Sequence, residues 1–153
     1  MSQKLGTFFI ELVVLILMLC GCSQRHISFD EVMHSVLNQP LDGVREGTSK
    51  DLRRFIGLNP NEIESFVYYI PTSSMDVEEL LIIQVKDSAQ FEVIEELLEQ
   101  RVASQIDRFS AYKPENCGIL DNYEIRTKGR YLFFAVSQQG EELSDQFRAA
   151  FRK

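Results

Sequence analysis

Residues 131–136 read Tyr-Leu-Phe-Phe-Ala-Val, and this stretch decides the fold class. Such a short apolar run, rich in aromatic residues and preceded by a glycine, is typical of a β-strand. Successive side chains of a strand point to opposite faces of the sheet, and here both alternating sets are apolar. A sheet with one solvated face would alternate apolar with polar residues. Both faces must therefore be covered, by the chain's own helices or by another molecule.

Three further strands are expected around this one. Ile63–Ile70 and Leu80–Val85 are rich in aromatic and branched residues, and the loop that starts at Pro71 would join them as an antiparallel pair. Tyr123–Thr127 alternates apolar with charged residues. The following Lys128-Gly129 predicts a tight turn that pairs this strand with residues 131–136.

Four helices complete the prediction. The strongest pattern is a broad apolar stripe from Ala89 to about Ala111, with an N-terminal capping signal at Asp87 and Gln90. Shorter helices are expected after the capping box at Ser28, from Ser49 to Ile56, and from Glu141 to Phe151.

The predicted fold class is therefore α+β, an antiparallel four-stranded sheet with one long helix and flanking helices in the order α-α-β-β-α-β-β-α. We expect the long and C-terminal helices on one face. The two N-terminal helices, or another molecule, would cover the other.

The N-terminus has the anatomy of a secretory signal. Lys4 precedes an apolar run from Phe8 to Leu19, which is interrupted by Glu11 and is shorter than the about 20 residues of a membrane span. It ends in Leu19-Cys20-Gly21-Cys22, which resembles a lipobox. We therefore predict a signal peptide over residues 1–21, a lipidated Cys22 with a short tether over residues 22–28, and a single α+β domain over residues 29–153.

These features predict a protein held on the extracytoplasmic face of the cell membrane. A diacylglyceryl group on Cys22 would supply two acyl chains, which is enough for stable anchoring. The net charge is −7, and it stays at −7 without the signal segment, which carries one Lys and one Glu. An acidic surface argues against nucleic-acid binding, which depends on Lys and Arg neutralising phosphates.

Catalytic patterns are weak after Cys22. The two histidines, His26 and His34, lie in the predicted tether and first helix, so no base is expected near Cys117, the one cysteine in the predicted domain. Four glutamates at helical spacing on the long helix suggest a weak cation surface, but a solvated helix face explains them better; they are Glu92, Glu95, Glu96 and Glu99. We predict no catalytic residue, metal site or cofactor.

Arg126, Lys128 and Arg130 are the candidate binding residues. They fall at alternate positions through the predicted hairpin, which places them on one side of it. Three bases on an acidic protein would contact an anionic envelope polymer or the acidic patch of a protein partner. A solubilising hairpin tip explains them equally well.

Several short motifs resemble one known family, the bacterial lipoprotein domain of unknown function numbered 4358. The resemblance runs from about Phe55 to Phe151 and implies a small α+β domain on a lipid anchor, with no established activity. The matching residues are Gly57-Leu58, Leu80–Asp87, Gln100-Arg101, Tyr112-Lys113-Pro114, Gly129-Arg130-Tyr131 and Phe133–Ser137.

The leading functional hypothesis is a membrane-anchored, non-enzymatic module that binds an envelope component or a protein. One alternative is an envelope-modifying hydrolase that uses carboxylates, which requires an acid with a raised pKa in an apolar cleft. The other alternative is a structural subunit of a membrane complex, which would leave one apolar face of the sheet uncovered in the monomer.

Overall fold

A computed structural model describes residues 27–38 and 40–152, and it confirms the α+β class. The predicted signal segment and Cys22 lie outside the described residues. The helices are α1 (Phe29–Val36), α2 (Ser49–Phe55), α3 (Phe91–Phe109), α4 (Glu115–Leu120) and α5 (Gly140–Ala150). The strands are β1 (Val44–Glu46), β2 (Ile63–Pro71), β3 (Glu79–Val85), β4 (Glu124–Lys128) and β5 (Tyr131–Val136). No helix in these ranges has both the length and the apolar character that a transmembrane span requires.

The strands form one antiparallel sheet in the order β1-β2-β3-β5-β4. β3 lies at its centre, and every residue of β3 is buried. The expectation of four strands was wrong, because β1 pairs with the end of β2 and adds a fifth. β1 has three residues and lies between two glycine-containing turns, so it is too short to show the two-residue periodicity by which strands are recognised.

The predicted element order also lacked α4, a six-residue helix between α3 and β4. The observed order of helices and strands is α-β-α-β-β-α-α-β-β-α. α4 includes Asn116, Cys117 and Gly118, which are poor helix formers. Its position is fixed by tertiary contacts, since Leu120 is buried in the core and Asn116 donates to the carbonyl of Met75 at 3.0 Å.

Helices of the chain cover both faces of the sheet, as the apolar pattern of β5 requires. α2, α3 and α4 cover one face, where Leu98 and Phe109 of α3 pack against Leu132 and Phe134 of β5. α1 and α5 cover the other, where Phe133 of β5 lies 5.3 Å from Phe147 of α5, ring centre to ring centre.

The expected grouping of the helices was wrong. The long helix α3 and the C-terminal helix α5 lie on opposite faces, and α1 is the helix that shares a face with α5. Ser35 of α1 donates to the carbonyl of Gln146 of α5 at 3.0 Å. Since β5 is apolar on both faces, its sequence does not indicate which helix covers which face.

Local sequence signals explain where the helices begin. Ser28 and Glu31 form the expected capping box of α1, and Thr48 and Asp51 form one at α2. The backbone N–H of Thr48 donates to Asp51 at 2.9 Å and Arg45 donates to it at 3.4 Å, which lowers the pKa of Asp51 to about 2. The capping signal before the long helix instead serves a short 3-10 turn over Ser88–Gln90.

The hairpin between β4 and β5 has the predicted tight turn. Lys128 pairs with Tyr131, so Gly129 and Arg130 are the two central residues. Gly129 has φ of 60°, and Arg130 has a negative φ, which is the arrangement of a type II′ turn.

Candidate functional site

The first described residues dock at the base of the β4–β5 hairpin. The Tyr131 hydroxyl, at the start of β5, donates to the carbonyl of Ile27 at 2.7 Å. The Tyr131 ring stacks with Phe29 of α1 at 6.4 Å and contacts Phe151 at 5.5 Å. These contacts fix the point where the chain enters the domain. We call this end of the sheet the tether end.

The surroundings of Tyr131 change the pKa of its hydroxyl. Partial burial raises the pKa of the Tyr131 hydroxyl. The positive charge of Arg130 opposes this rise, and the negative charge of Glu31 adds to it. The hydroxyl therefore stays protonated at neutral pH and remains a donor to Ile27.

The three predicted binding residues lie on this hairpin, and all three are exposed. The register places Arg126 opposite Phe133 and Lys128 opposite Tyr131, so both bases lie on the α1/α5 side of β4. Arg130 occupies the turn itself. The spacing argument therefore holds for Arg126 and Lys128, while Arg130 extends the basic surface to the tip.

The three bases differ in how strongly they are already paired. A guanidinium nitrogen of Arg126 lies 2.5 Å from the Glu124 carboxylate, and another donates to the Ile125 carbonyl at 2.7 Å. Within the described part of the chain, Lys128 and Arg130 form no ion pair. Lys128 and Arg130 are thus the charges best placed to meet an external anion.

Lys86 is a further base at the tether end that the sequence analysis did not select. The N–H of Val85, the last residue of β3, donates to the carbonyl of Arg130 at 2.8 Å, so the next residue lies beside the hairpin turn. Lys86 is exposed and its ammonium donates to the carbonyl of Asn61 at 2.7 Å. Lys86 lies near Arg130, 44 positions later in the chain, only because of the register between β3 and β5.

A second feature is a buried ionic cluster on the α3 side of the sheet. Glu79, at the start of β3, is only 2% exposed. One of its oxygens accepts from Tyr68 of β2 and from Arg101 of α3, both at 2.8 Å, and the other accepts from Arg101 at 3.3 Å. The Arg101 guanidinium also lies 5.0 Å from the centre of the Phe55 ring.

This cluster links the sheet to the long helix. Burial, together with the Glu79 charge, raises the pKa of Tyr68, so its hydroxyl remains a proton donor. Burial acts to lower the pKa of Arg101, but the hydrogen bonds and charge of Glu79 outweigh burial and raise it. With both carboxylate oxygens bonded and Glu79 almost fully buried, the cluster is suited to holding α3 in place.

The opposite end of the sheet carries an acidic cleft with a volume of about 380 Å³. Among the described residues, Lys113 is the one cation that lines it, and the Lys113 ammonium lies 3.0 Å from Asp76 and 2.8 Å from the carbonyl of Met75. The other acidic lining residues are Asp42, Glu78 and Glu115. Within the described ranges, no three His, Cys, Asp or Glu residues are arranged to hold a metal ion.

The structure separates the remaining catalytic candidates. Cys117 is half-buried on the α3 side, with its sulfur 3.9 Å from the carbonyl of Ile106. His34 is exposed on α1, which covers the opposite face of the sheet. The glutamates of α3 remain on its outer surface, where Glu95 and Glu99 border an open groove beside β4. None of these placements assembles a nucleophile with a base.

A family model matches residues 39–137, about two-thirds of the chain, and its description is Domain of unknown function (DUF4358). The chain belongs to the DUF4358 family. Comparisons with curated proteins and with solved structures give no significant match.

The DUF4358 match covers residues 39–137, so it begins and ends earlier than the resemblance, which covered about residues 55–151. Its bounds enclose the sheet and the helices on one of its faces. Residues 39–137 contain all five strands together with α2, α3 and α4. The β4–β5 hairpin with Arg126, Lys128 and Arg130, which we call the basic hairpin, lies inside the match. The buried Glu79 cluster lies inside it too. α1 and α5 lie outside it, so the layer that covers the second face of the sheet comes from residues beyond the family model.

Proposed function

We propose that this DUF4358 protein is a lipid-anchored, non-enzymatic interaction module on the extracytoplasmic face of the cell membrane. The bond from Tyr131 to Ile27 carries the proposal, because it brings the anchoring segment and the basic hairpin to the same end of the domain. Ile27 follows the predicted lipidation site, Cys22, by five residues. Five extended residues span at most about 17 Å, so the tether end would remain near the bilayer.

The chemistry of the hairpin favours an anionic partner. Lys128 and Arg130 are exposed cations on a protein whose net charge is −7. Arginine presents a planar fork suited to phosphate or carboxylate, and lysine adds a point charge. The partner would be an anionic envelope component or an acidic patch on a membrane protein.

Binding is better supported than either alternative. A carboxylate hydrolase would use the acidic cleft, but Asp76 in that cleft is already paired with Lys113, and no histidine or cysteine is among the described residues that line it. A structural subunit would be favoured by an uncovered sheet face. In the described residues, α1 and α5 fill one face and α2, α3 and α4 fill the other.

The proposal is tested by crosslinking in intact cells with a photoreactive residue at position 86, an exposed position beside the hairpin turn. Reversing the charge of Arg126, Lys128 and Arg130 should abolish the crosslink without lowering the melting temperature, since all three are exposed. A matched control reverses the charge of three exposed bases on α2, which are Lys50, Arg53 and Arg54. This control variant should still form the crosslink. Equal crosslinking by both variants would contradict the proposal.

A further inference from the structure

We propose that the basic hairpin binds the anionic phospholipid headgroups of the bilayer that holds the anchor, and so orients the domain on the membrane. This inference rests on the proposed function and names the partner of the same surface. It differs from a protein or polymer contact because the ligand is the membrane itself.

The chain enters the domain beside the basic hairpin. Ile27 is bonded to Tyr131, and Tyr131 directly follows the hairpin turn at Gly129 and Arg130. A lipid on Cys22 would therefore keep the hairpin within about 17 Å of tether from the bilayer.

Two bases of the hairpin are available to an external anion. Lys128 and Arg130 are exposed and form no ion pair with any described residue. Of the acids at the same end, Glu31 and Asp87 are engaged in caps, while Glu64 is exposed. Glu31 accepts from the N–H and hydroxyl of Ser28, and Asp87 accepts from the N–H of Ala89. Within the hairpin itself, Glu124 is paired with Arg126, so the charges of residues 124–131 that form no ion pair are both positive.

The acidic cleft lies far from the basic hairpin. The acidic cleft lies at the far end of β2, which has nine residues and is about 26 Å long. The Debye length is about 8 Å at physiological salt, so charges at that distance are largely screened from the bilayer. Bases at the surface act at short range, so Lys128 and Arg130 act on a nearby headgroup more strongly than the acids of the distant cleft do.

A depth measurement on the lipidated full chain tests this orientation. A fluorophore is placed at Thr127→Cys on the hairpin strand, or at Ser74→Cys in the far loop, each with Cys117→Ser. Vesicles of phosphatidylcholine, with or without phosphatidylglycerol, carry a nitroxide on a trace of headgroups. The Thr127→Cys label should be quenched only when phosphatidylglycerol is present, and the Ser74→Cys label in neither vesicle.

Neutral variants identify the charges responsible. Lys128→Gln with Arg130→Gln should weaken the contact by about fivefold per base removed, while the protein stays on the vesicle through its anchor. Lys50→Gln with Arg53→Gln, the same charge change on α2, should leave the quenching unchanged. Raising the salt to 1 M, where the Debye length is about 3 Å, should remove the contact of the unsubstituted chain.

The outcomes separate the two proposals. Protein that leaves both kinds of vesicle would refute lipid anchoring and the proposed function with it. Protein that stays bound but shows equal quenching of Thr127→Cys in both vesicles, or none, would overturn the headgroup contact alone. A competitor can also be added, an acidic envelope polymer or protein that carries the same total negative charge as the phosphatidylglycerol. The headgroup contact would also be overturned if this competitor bound at the hairpin and the quenching disappeared.

Discussion

Replacing Glu79 by glutamine should destabilise the fold strongly, and the structure sets the magnitude. Glu79 is 2% exposed and accepts hydrogen bonds from Tyr68 and Arg101. Glu79→Gln removes the negative charge and leaves the Arg101 guanidinium, whose side chain is only 15% exposed, without a counter-ion. Breaking a buried pair in this way costs about 3–5 kcal/mol.

The lower end of that range applies here. The glutamine oxygen can still accept one hydrogen bond, and Arg101 keeps its contact with the Phe55 ring at 5.0 Å. We therefore expect a loss of about 3 kcal/mol in the free energy of unfolding. With a urea slope of about 1–3 kcal/mol per molar, the unfolding midpoint should fall by at least 1 M.

Urea unfolding followed by far-ultraviolet circular dichroism measures this loss. A double-mutant cycle with Arg101→Met isolates the pair, because removing both partners avoids the unpaired charge and should cost less than the sum of the single changes. Glu64→Gln, an exposed acid on the neighbouring strand, is the control and should stay within about 0.5 kcal/mol of the unsubstituted protein. A Glu79→Gln loss as small as that of the control, or additive single changes, would refute the cluster's role.

Three further predictions concern other parts of the fold. Tyr131→Phe removes the donor to Ile27 and should lower the free energy of unfolding by about 1 kcal/mol. Hydrogen exchange checks this, since the backbone amides of residues 27–31 should exchange faster in the variant. Because the folded pKa of Tyr68 is raised, stability should fall as the pH rises above about 10, where unfolded tyrosine ionises. Tyr68→Phe should reduce that alkaline slope in pH-dependent denaturation, and an unchanged slope would contradict the assignment. Gly129→Ala, at φ of 60°, should cost about 1–2 kcal/mol in thermal unfolding, and a neutral result would exclude the type II′ turn.

The sequence predicted the main strands and helices because their patterns are long or strong. Both alternating sets of residues in 131–136 are apolar, which correctly required two covering layers. β1 and α4 were missed because each is short and held by pairing or packing with distant residues. The sequence pattern also could not indicate which helices cover which face of the sheet. A strand that is apolar on both sides can pack against any of them.

The candidate site was predicted only in part. Arg126, Lys128 and Arg130 are recognisable from alternation before a glycine turn. Their proximity to the entering chain depends on the hydrogen bond between Tyr131 and Ile27, which are separated by 104 positions. Glu79 gave a weak signal as a charge at the edge of an apolar run. Its partners Tyr68 and Arg101 could not be paired with it without the sheet register and the position of α3.

The most direct test of the account is incorporation of radiolabelled palmitate into the chain in cells, followed by membrane fractionation. Cys22→Ala is the decisive variant, and Cys20→Ala, two residues earlier in the same motif, is its matched control. If Cys22 is the lipidated residue, the unsubstituted chain and Cys20→Ala are labelled and membrane-bound, while Cys22→Ala is unlabelled and remains an uncleaved precursor or leaves the membrane. Labelling and membrane binding of Cys22→Ala equal to those of the unsubstituted chain would contradict it.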